Sequence, residues 1–302
     1  VAEVTVRDAH RGDAPAIGEI WSAAVPYLVR TAARAAADMR EDKTMRRRRW
    51  VGLVDGVVAG TATARQVGEH EVFVSVEVHP DHGSRGVGTA LLSQAAATYA
   101  QVDQMRSVSN GDPISLAFAV RNGFLPEGEH RISFADPAAV PEAGPPPSGL
   151  RPVTLEALPD LRMLLETYNL SAGDDPSGLS RRYTMYQLRS EWWDSPDNAP
   201  GLSFGLIDDS APRPVLASFT SVQVDRERSR CWSSMTCTHP AYRRRGMARW
   251  VKQRMLNELV GSGVTEAWTG NDSTNEAMIA VNEQLGYVMA ATSIRLARRL
   301  SF

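Results

Sequence analysis

The chain has 302 residues with 33 basic and 35 acidic side chains, a formal net charge of -2, 43% hydrophobic residues and 23% charged ones. That length suits two domains and the composition a soluble globular protein, while the near-neutral charge argues against a general nucleic-acid binder. No apolar run reaches eighteen residues and Val1 to Arg7 lacks the layout of a secretory signal, so no membrane association is expected. Cys231 and Cys237 are too few for a disulfide framework or a structural zinc site. The expectation is a reduced, cytoplasmic protein without a bound metal. Lysine occurs only as Lys43 and Lys252, so arginine supplies nearly all positive charge.

In chain order, Val4 to Arg7 reads as a strand, and a helix follows with Asp13 as its cap and Pro15 early in it. Trp50 to Leu53, the turn Asp55-Gly56 and Val57 to Ala64 read as a hairpin. A β-rich run, Val72 to Val78, leads into His79-Pro80-Asp81-His82-Gly83-Ser84-Arg85-Gly86-Val87-Gly88, and Ala90, Leu91, Leu92, Ala95 and Ala96 then share one helical face. Residues 136–149 hold five prolines and two glycines, which predicts a linker or surface strap. The order then recurs. Leu150 to Val153 reads as a strand, Leu202 to Ile207 and Val215 to Val224 as a hairpin, and Cys231 to Thr238 as the run before a second loop.

That loop, His239-Pro240-Ala241-Tyr242-Arg243-Arg244-Arg245-Gly246-Met247-Ala248, repeats the first at an offset of 160 residues. Trp250, Val251, Met255, Leu256 and Leu259 continue it as a helix, with Gly261 as a stop, and Asn122-Gly123-Phe124 is answered by Leu285-Gly286-Tyr287. Agreement at three separate points marks a duplication. The expected domains are 1–135 and 150–302, each mixed α/β. A strand that ends in a glycine-bearing turn and runs straight into a helix gathers backbone N–H groups and the positive end of the helix dipole at one spot, which makes an anion site. A bland glycine turn with a solvated basic face is the alternative for either loop alone.

Arg243-Arg244-Arg245-Gly246-Met247-Ala248 resembles the [RQ]-x-x-G-x-[GA] signature of the GNAT superfamily of acyl-CoA N-acyltransferases. Asn271 to Met278, Asn282 and Leu285-Gly286-Tyr287 resemble its second motif, and the likeness spans 232–287. The first half is similar but poorer: Gly86 and Gly88 are present, Gly83 stands at the leading Arg/Gln position, and Arg85 is the only loop arginine. The chain as a whole resembles tandem GNAT proteins. The resemblance implies two domains, each a mixed, largely antiparallel sheet flanked by helices. It also implies that the amides of Arg243, Arg244, Arg245, Gly246, Met247, Ala248 and Arg249 hold the pyrophosphate of acetyl-CoA. Thr236, Cys237 and Thr238 would hold its pantetheine arm, with a free amide near Thr238 polarising the thioester carbonyl. Asn275 and Asn282 would contact the cofactor, capping being the ordinary role of Asn275. In the first half the equivalents are Val76, Val78, Gly83, Ser84, Arg85, Gly86, Val87, Gly88 and Thr89.

The family's tyrosine acid would fall at Asn282 or Ala119, neither of which can donate a proton, and no acid or base is assigned. Glu77, Asp225 and Glu227 are the base candidates, each read more readily as a solvated carboxylate. His79 and His239 before proline, Trp192-Trp193 and the run Arg46 to Arg49 read most readily as structural or solvated. Cys231 and Cys237, at i and i+6, share a face on an unbroken strand. The reading is an acetyl-CoA-dependent N-acetyltransferase, working chiefly in its C-terminal half on a primary amine of a small molecule or peptide. A non-catalytic acyl-CoA sensor is the alternative. The irregular segments 22–49 and 168–200 would shape the acceptor site.

Overall fold

The computed structural model describes residues 3–39, 47–178, 180–210 and 212–300. Arg46 and part of the expected acceptor segment 22–49 lie outside them. Residues group by contact into two units, Val1–His130 with Thr292–Phe302, and Arg131–Ala291. The last eleven residues thus belong with the first unit, which differs from the linear boundaries suggested by the proline run.

The first unit contains β1 (Val4–Asp8), α1 (Ala14–Ala24), α2 (Ala32–Asp38), β2 (Arg47–Val54), β3 (Val57–Gln66), β4 (Glu71–Val78), α3 (Val87–Thr98), β5 (Gln104–Ser109), α4 (Pro113–Arg121) and the start of β6 (Leu125–Ala135). Its strands run in the order β1-β2-β3-β4-β5, closed by the end of β12 (Val288–Arg299), whose Ile294 to Arg299 pair antiparallel with β5. The β2–β3 turn is as expected. Asp55 and Gly56 have φ of 49° and 82°, the pair of positive values that a tight hairpin turn of the sheet's own twist requires. Asp13 does precede α1, but its carboxylate makes no cap bond. It instead takes two hydrogen bonds from Arg7, at 2.7 and 2.8 Å.

Strand alternation gives the sheet of this unit two covered faces. Trp50, Val72, Val74 and Met105 pack with Leu91, Leu92 and Ala95 of α3, while Val51 packs with Ile17 and Trp21 of α1 and Ala35 of α2. On β4, therefore, Val72 and Val74 face α3, and Phe73, Ser75 and Glu77 point to the α1–α2 side.

The second unit contains β7 (Arg151–Thr154), α5 (Leu161–Ser171), α6 (Met185–Leu188), β8 (Phe204–Asp208), β9 (Val215–Asp225), β10 (Arg230–Thr238), α7 (Met247–Gly261), β11 (Glu266–Asp272) and α8 (Glu276–Gln284). Its strands run β6-β11-β10-β9-β8-β7. One core lies under α7, around Val222, Cys231, Met255 and Leu256, and the other under α5, around Leu164, Tyr168, Trp192 and Phe219. The helix α7 does end at Gly261, but Gly263 (φ 80°) makes the left-handed exit. The proline run is a strap rather than a free linker. Trp250 Nε1 donates to Gly144 O at 2.9 Å, Ala143 N–H to Asn257 Oδ1 at 2.8 Å, and Gln253 to Pro141 O at 3.0 Å.

The register of β10 shifts between Ser233 and Met235. A bulge inserts one residue and so reverses which face the next side chains take. Cys231 accordingly lies in the α7 core and Cys237 in the α5 core, which corrects the shared face expected of an unbroken strand.

Candidate active site

Both glycine loops have one geometry. A short turn of 3-10 helix (Pro80–His82; Pro240–Tyr242) is capped by a histidine whose Nδ1 accepts from Asp81 N–H or Ala241 N–H, which gives His79 and His239 structural roles. Ser84 and Arg244 follow at φ 61° and 58°, then Gly86 and Gly246 at 87° and 74°, and these two glycines lead directly into α3 and α7. Left-handed residues at alternate positions turn backbone N–H groups into a concave nest. No side chain caps either helix start, and a Cβ on Gly86 or Gly246 would meet nothing within 4 Å. Each nest therefore opens on space and retains the unpaired N–H groups of a helix N-terminus. Val87 and Met247 bury their side chains in the cores, so they offer the nest only backbone.

The strand before each loop parts from its parallel neighbour. β4 pairs with β5 over Glu71 to Phe73, and β10 with β11 over Arg230 to Ser233. On the other edge, His79 N–H donates to Ala59 O and His239 N–H to Ala217 O, both at 2.9 Å. Antiparallel partners alternate between bonded and non-bonded pairs, so Glu77 and Cys237 turn their backbone toward β3 and β9. Val76, Val78, Thr236 and Thr238 turn theirs into the two splits. Of the strand residues singled out from sequence, only Cys237 has its amide committed to the sheet.

The side chains are less uniform. Arg243 donates to Asp174 at 2.6 Å and to Thr238 O at 3.2 Å, whereas Arg244, Arg245 and Arg249 are exposed. In the first unit, Gly83, Ser84, Arg85 and Thr89 are exposed and Gly88 is half-buried, as is its counterpart Ala248. Asn275 caps α8, accepting from Met278 N–H at 3.3 Å. Asn282 is buried and donates to Asn271 Oδ1 at 2.6 Å, with its own Oδ1 unpartnered. Tyr287 is core, as expected for an aromatic after that glycine. Trp192 stacks on Phe219 in the α5 core and Trp193 is half-buried.

The base candidates separate sharply. Asp225 accepts from Arg228 N–H at 3.1 Å and pairs with Arg230, at the end of β10 away from the loop. At about 3.3 Å per residue, the eight residues from Arg230 to Thr238 place it roughly 26 Å from the nest, and Glu227 sits in the same far turn. Glu77 is on β4 itself, buried and bound by Arg30 at 2.9 Å. It is not a solvated carboxylate. The 160-residue offset puts Cys237 at the same place in the second unit, where burial pushes the thiol up to about 12. A thiol of that kind is neither nucleophile nor base at neutral pH.

The acetyltransferase (GNAT) family pattern matches residues 14–124, the half whose loop has fewer arginines. A mycothiol acetyltransferase of Nocardia farcinica is 28% identical over 251 residues, covering 80% of each chain. Residues 14–124 thus carry a GNAT acetyltransferase domain. The fold of the whole chain is similar to that of a tandem GNAT protein from the clavulanic acid biosynthesis pathway, at a TM-score of 0.75 and 19% identity over 99% of both chains. A GCN5-related N-acetyltransferase from Sphaerobacter thermophilus matches at a TM-score of 0.71 and 16% identity, over 99% of this chain and 96% of its own. Among the described residues no group of His, Cys, Asp or Glu is arranged to hold a metal, and no helix is long and apolar enough to cross a membrane.

Proposed function

We propose that the chain transfers acetyl from acetyl-CoA directly to the primary amine of a small molecule or peptide while both are bound. The observation that supports this best is the open nest at Gly246 beside the split after Ser233, a fit for a pyrophosphate and a pantetheine arm. Acetyl-CoA supplies an activated thioester. The nest orients its phosphates, and the amides of Thr236 and Thr238 face the arm. An N–C bond forms as the C–S bond breaks, the amine proton passes to water, and the departing sulfur is protonated from solvent. With the exposed Arg244, Arg245 and Arg249 near it, the second unit is the stronger donor site. The mycothiol acetyltransferase relative makes a mycothiol-related amine the first acceptor to try there.

A second reading, transfer in the first unit as well, is favoured by Glu77. This unit has the same nest and adds a carboxylate that can take the amine proton. Calorimetric titration of acetyl-CoA tests both readings. The wild type is expected to bind close to two equivalents, and Gly246→Trp and Gly86→Trp close to one each. Retention of both sites in Gly246→Trp overturns the donor assignment. Binding without amine-dependent release of CoA across a broad panel favours a sensor instead.

A further inference from the structure

Among the described residues, arginines crowd the α1–α2 side of the first unit. Arg34, Arg47 and Arg49 converge on Asp38 at 3.0, 3.2 and 3.2 Å, and Arg30 holds Glu77 at 2.9 Å. The side chain of Arg49 is only 7% exposed, and its Nε and Nη1 have no hydrogen-bond partner. Its guanidinium lies over the Trp21 ring, 4.7 Å from the centroid. Glu77 is equally enclosed, with Oε2 unpartnered, while Arg30 stands at the rim with 36% of its side chain exposed.

A buried guanidinium with two unmade hydrogen bonds is costly. Burial draws Arg49 down to about 10, with Asp38 and Glu77 opposing that shift and Arg47 and Arg30 adding to it. Among the described residues, the groups that face it are Trp21 from α1, Arg30 from the α1–α2 connection, Asp38 from α2, Arg47 from its own strand and Glu77 from β4. A bound anion would satisfy the two free nitrogens of Arg49. The place is also chemically apt, because Glu77 lies between Val76 and Val78, whose backbones face the split.

We propose that this face is the acceptor pocket of the first unit and that it selects an amine carrying an anionic group, a carboxylate or a phosphate. The anion lies against Arg49 and Arg30 beside the Trp21 ring, and the amine is directed toward Glu77. The assignment as an acceptor pocket rests on the reading of the Gly86 loop as a donor site. Recognition of the anion does not.

The test is binding of matched amines to the full chain without acetyl-CoA: glycine against glycinamide, β-alanine against its amide, and phosphoethanolamine against ethanolamine. At least one anionic member is expected to bind ten-fold or more tightly than its neutral partner, and the pair that discriminates tells carboxylate from phosphate. That preference should vanish in Arg49→Gln and fall several-fold in Arg30→Gln. The rim position of Arg30 keeps the test valid if the buried substitution lowers stability. Equal binding within every pair, no binding by any anionic member, or a preference unchanged in both variants overturns the proposal. Absence of acetyl-CoA binding would instead overturn the donor reading and leave the anion result standing.

Discussion

Lys252 of α7 has its Nζ 3.4 Å from Ser233 Oγ and 5.1 Å from the centroid of the Tyr287 ring, and among the described residues no carboxylate pairs with it. It is 1% exposed, beside Cys231 in the core under α7. Burial draws its titration down to about 7 from an ordinary 10.5. The folded state thus holds this proton less tightly than the unfolded chain. Between about 10.5 and about 7 the unfolded chain carries the extra proton, so stability falls as pH is lowered through that window and levels off below it. Lys252→Met removes the penalty and is expected to stabilise the protein by ~2 kcal/mol at neutral pH. Denaturant titrations across the window should show wild type and variant converging as pH rises. A constant gap would mean that Lys252 does not titrate there.

Asn275 offers a clean separation of two roles. Its side chain accepts from Met278 N–H, so Asn275→Ala is expected to cost about 1 kcal/mol of stability. Acetyl-CoA affinity should stay within two-fold. A ten-fold loss of affinity with unchanged stability would make Asn275 a ligand contact instead.

Local features were legible in the sequence because they depend on neighbouring residues. The Asp55-Gly56 turn, the two His-Pro turns and the glycine entries to α3 and α7 are of this kind. Features set by distant partners were not. The bulge after Ser233 reverses Cys237, and nothing in the alternation of 231–238 marks it. Glu77 read as solvated because Arg30, which binds it, lies 47 residues away. Asp225 looked close to the chemistry in sequence, yet the length of β10 separates them. The return of Thr292–Phe302 to the first unit likewise follows from the pairing of β12 with β5, which the duplicated motifs do not encode.

Arg243 and Asp174, 2.6 Å apart, allow a test of sign. Asp174 competes with phosphate for Arg243, and both side chains are exposed enough that the effects are small, on the order of 0.2–1 kcal/mol. Arg243→Gln is expected to weaken acetyl-CoA binding to the second unit about three-fold, and Asp174→Asn to tighten it by a similar factor. Both effects should shrink at high salt. If Asp174→Asn weakens binding instead, Arg243 serves to hold the loop rather than the ligand.

Glu77 can be tested in isolation in the Gly246→Trp background, where only the first unit retains a donor nest. Glu77→Gln keeps the shape and leaves Arg30 an acceptor at Oε1. As a general base Glu77 is worth roughly a hundred-fold in rate. The variant should therefore lose about that factor in kcat with the KM for acetyl-CoA unchanged, because the residue faces the acceptor side of β4 and not α3. If kcat is kept while the KM of the amine rises, Glu77 positions the acceptor and water takes the proton. If neither changes, the turnover seen in that background does not pass through the first unit.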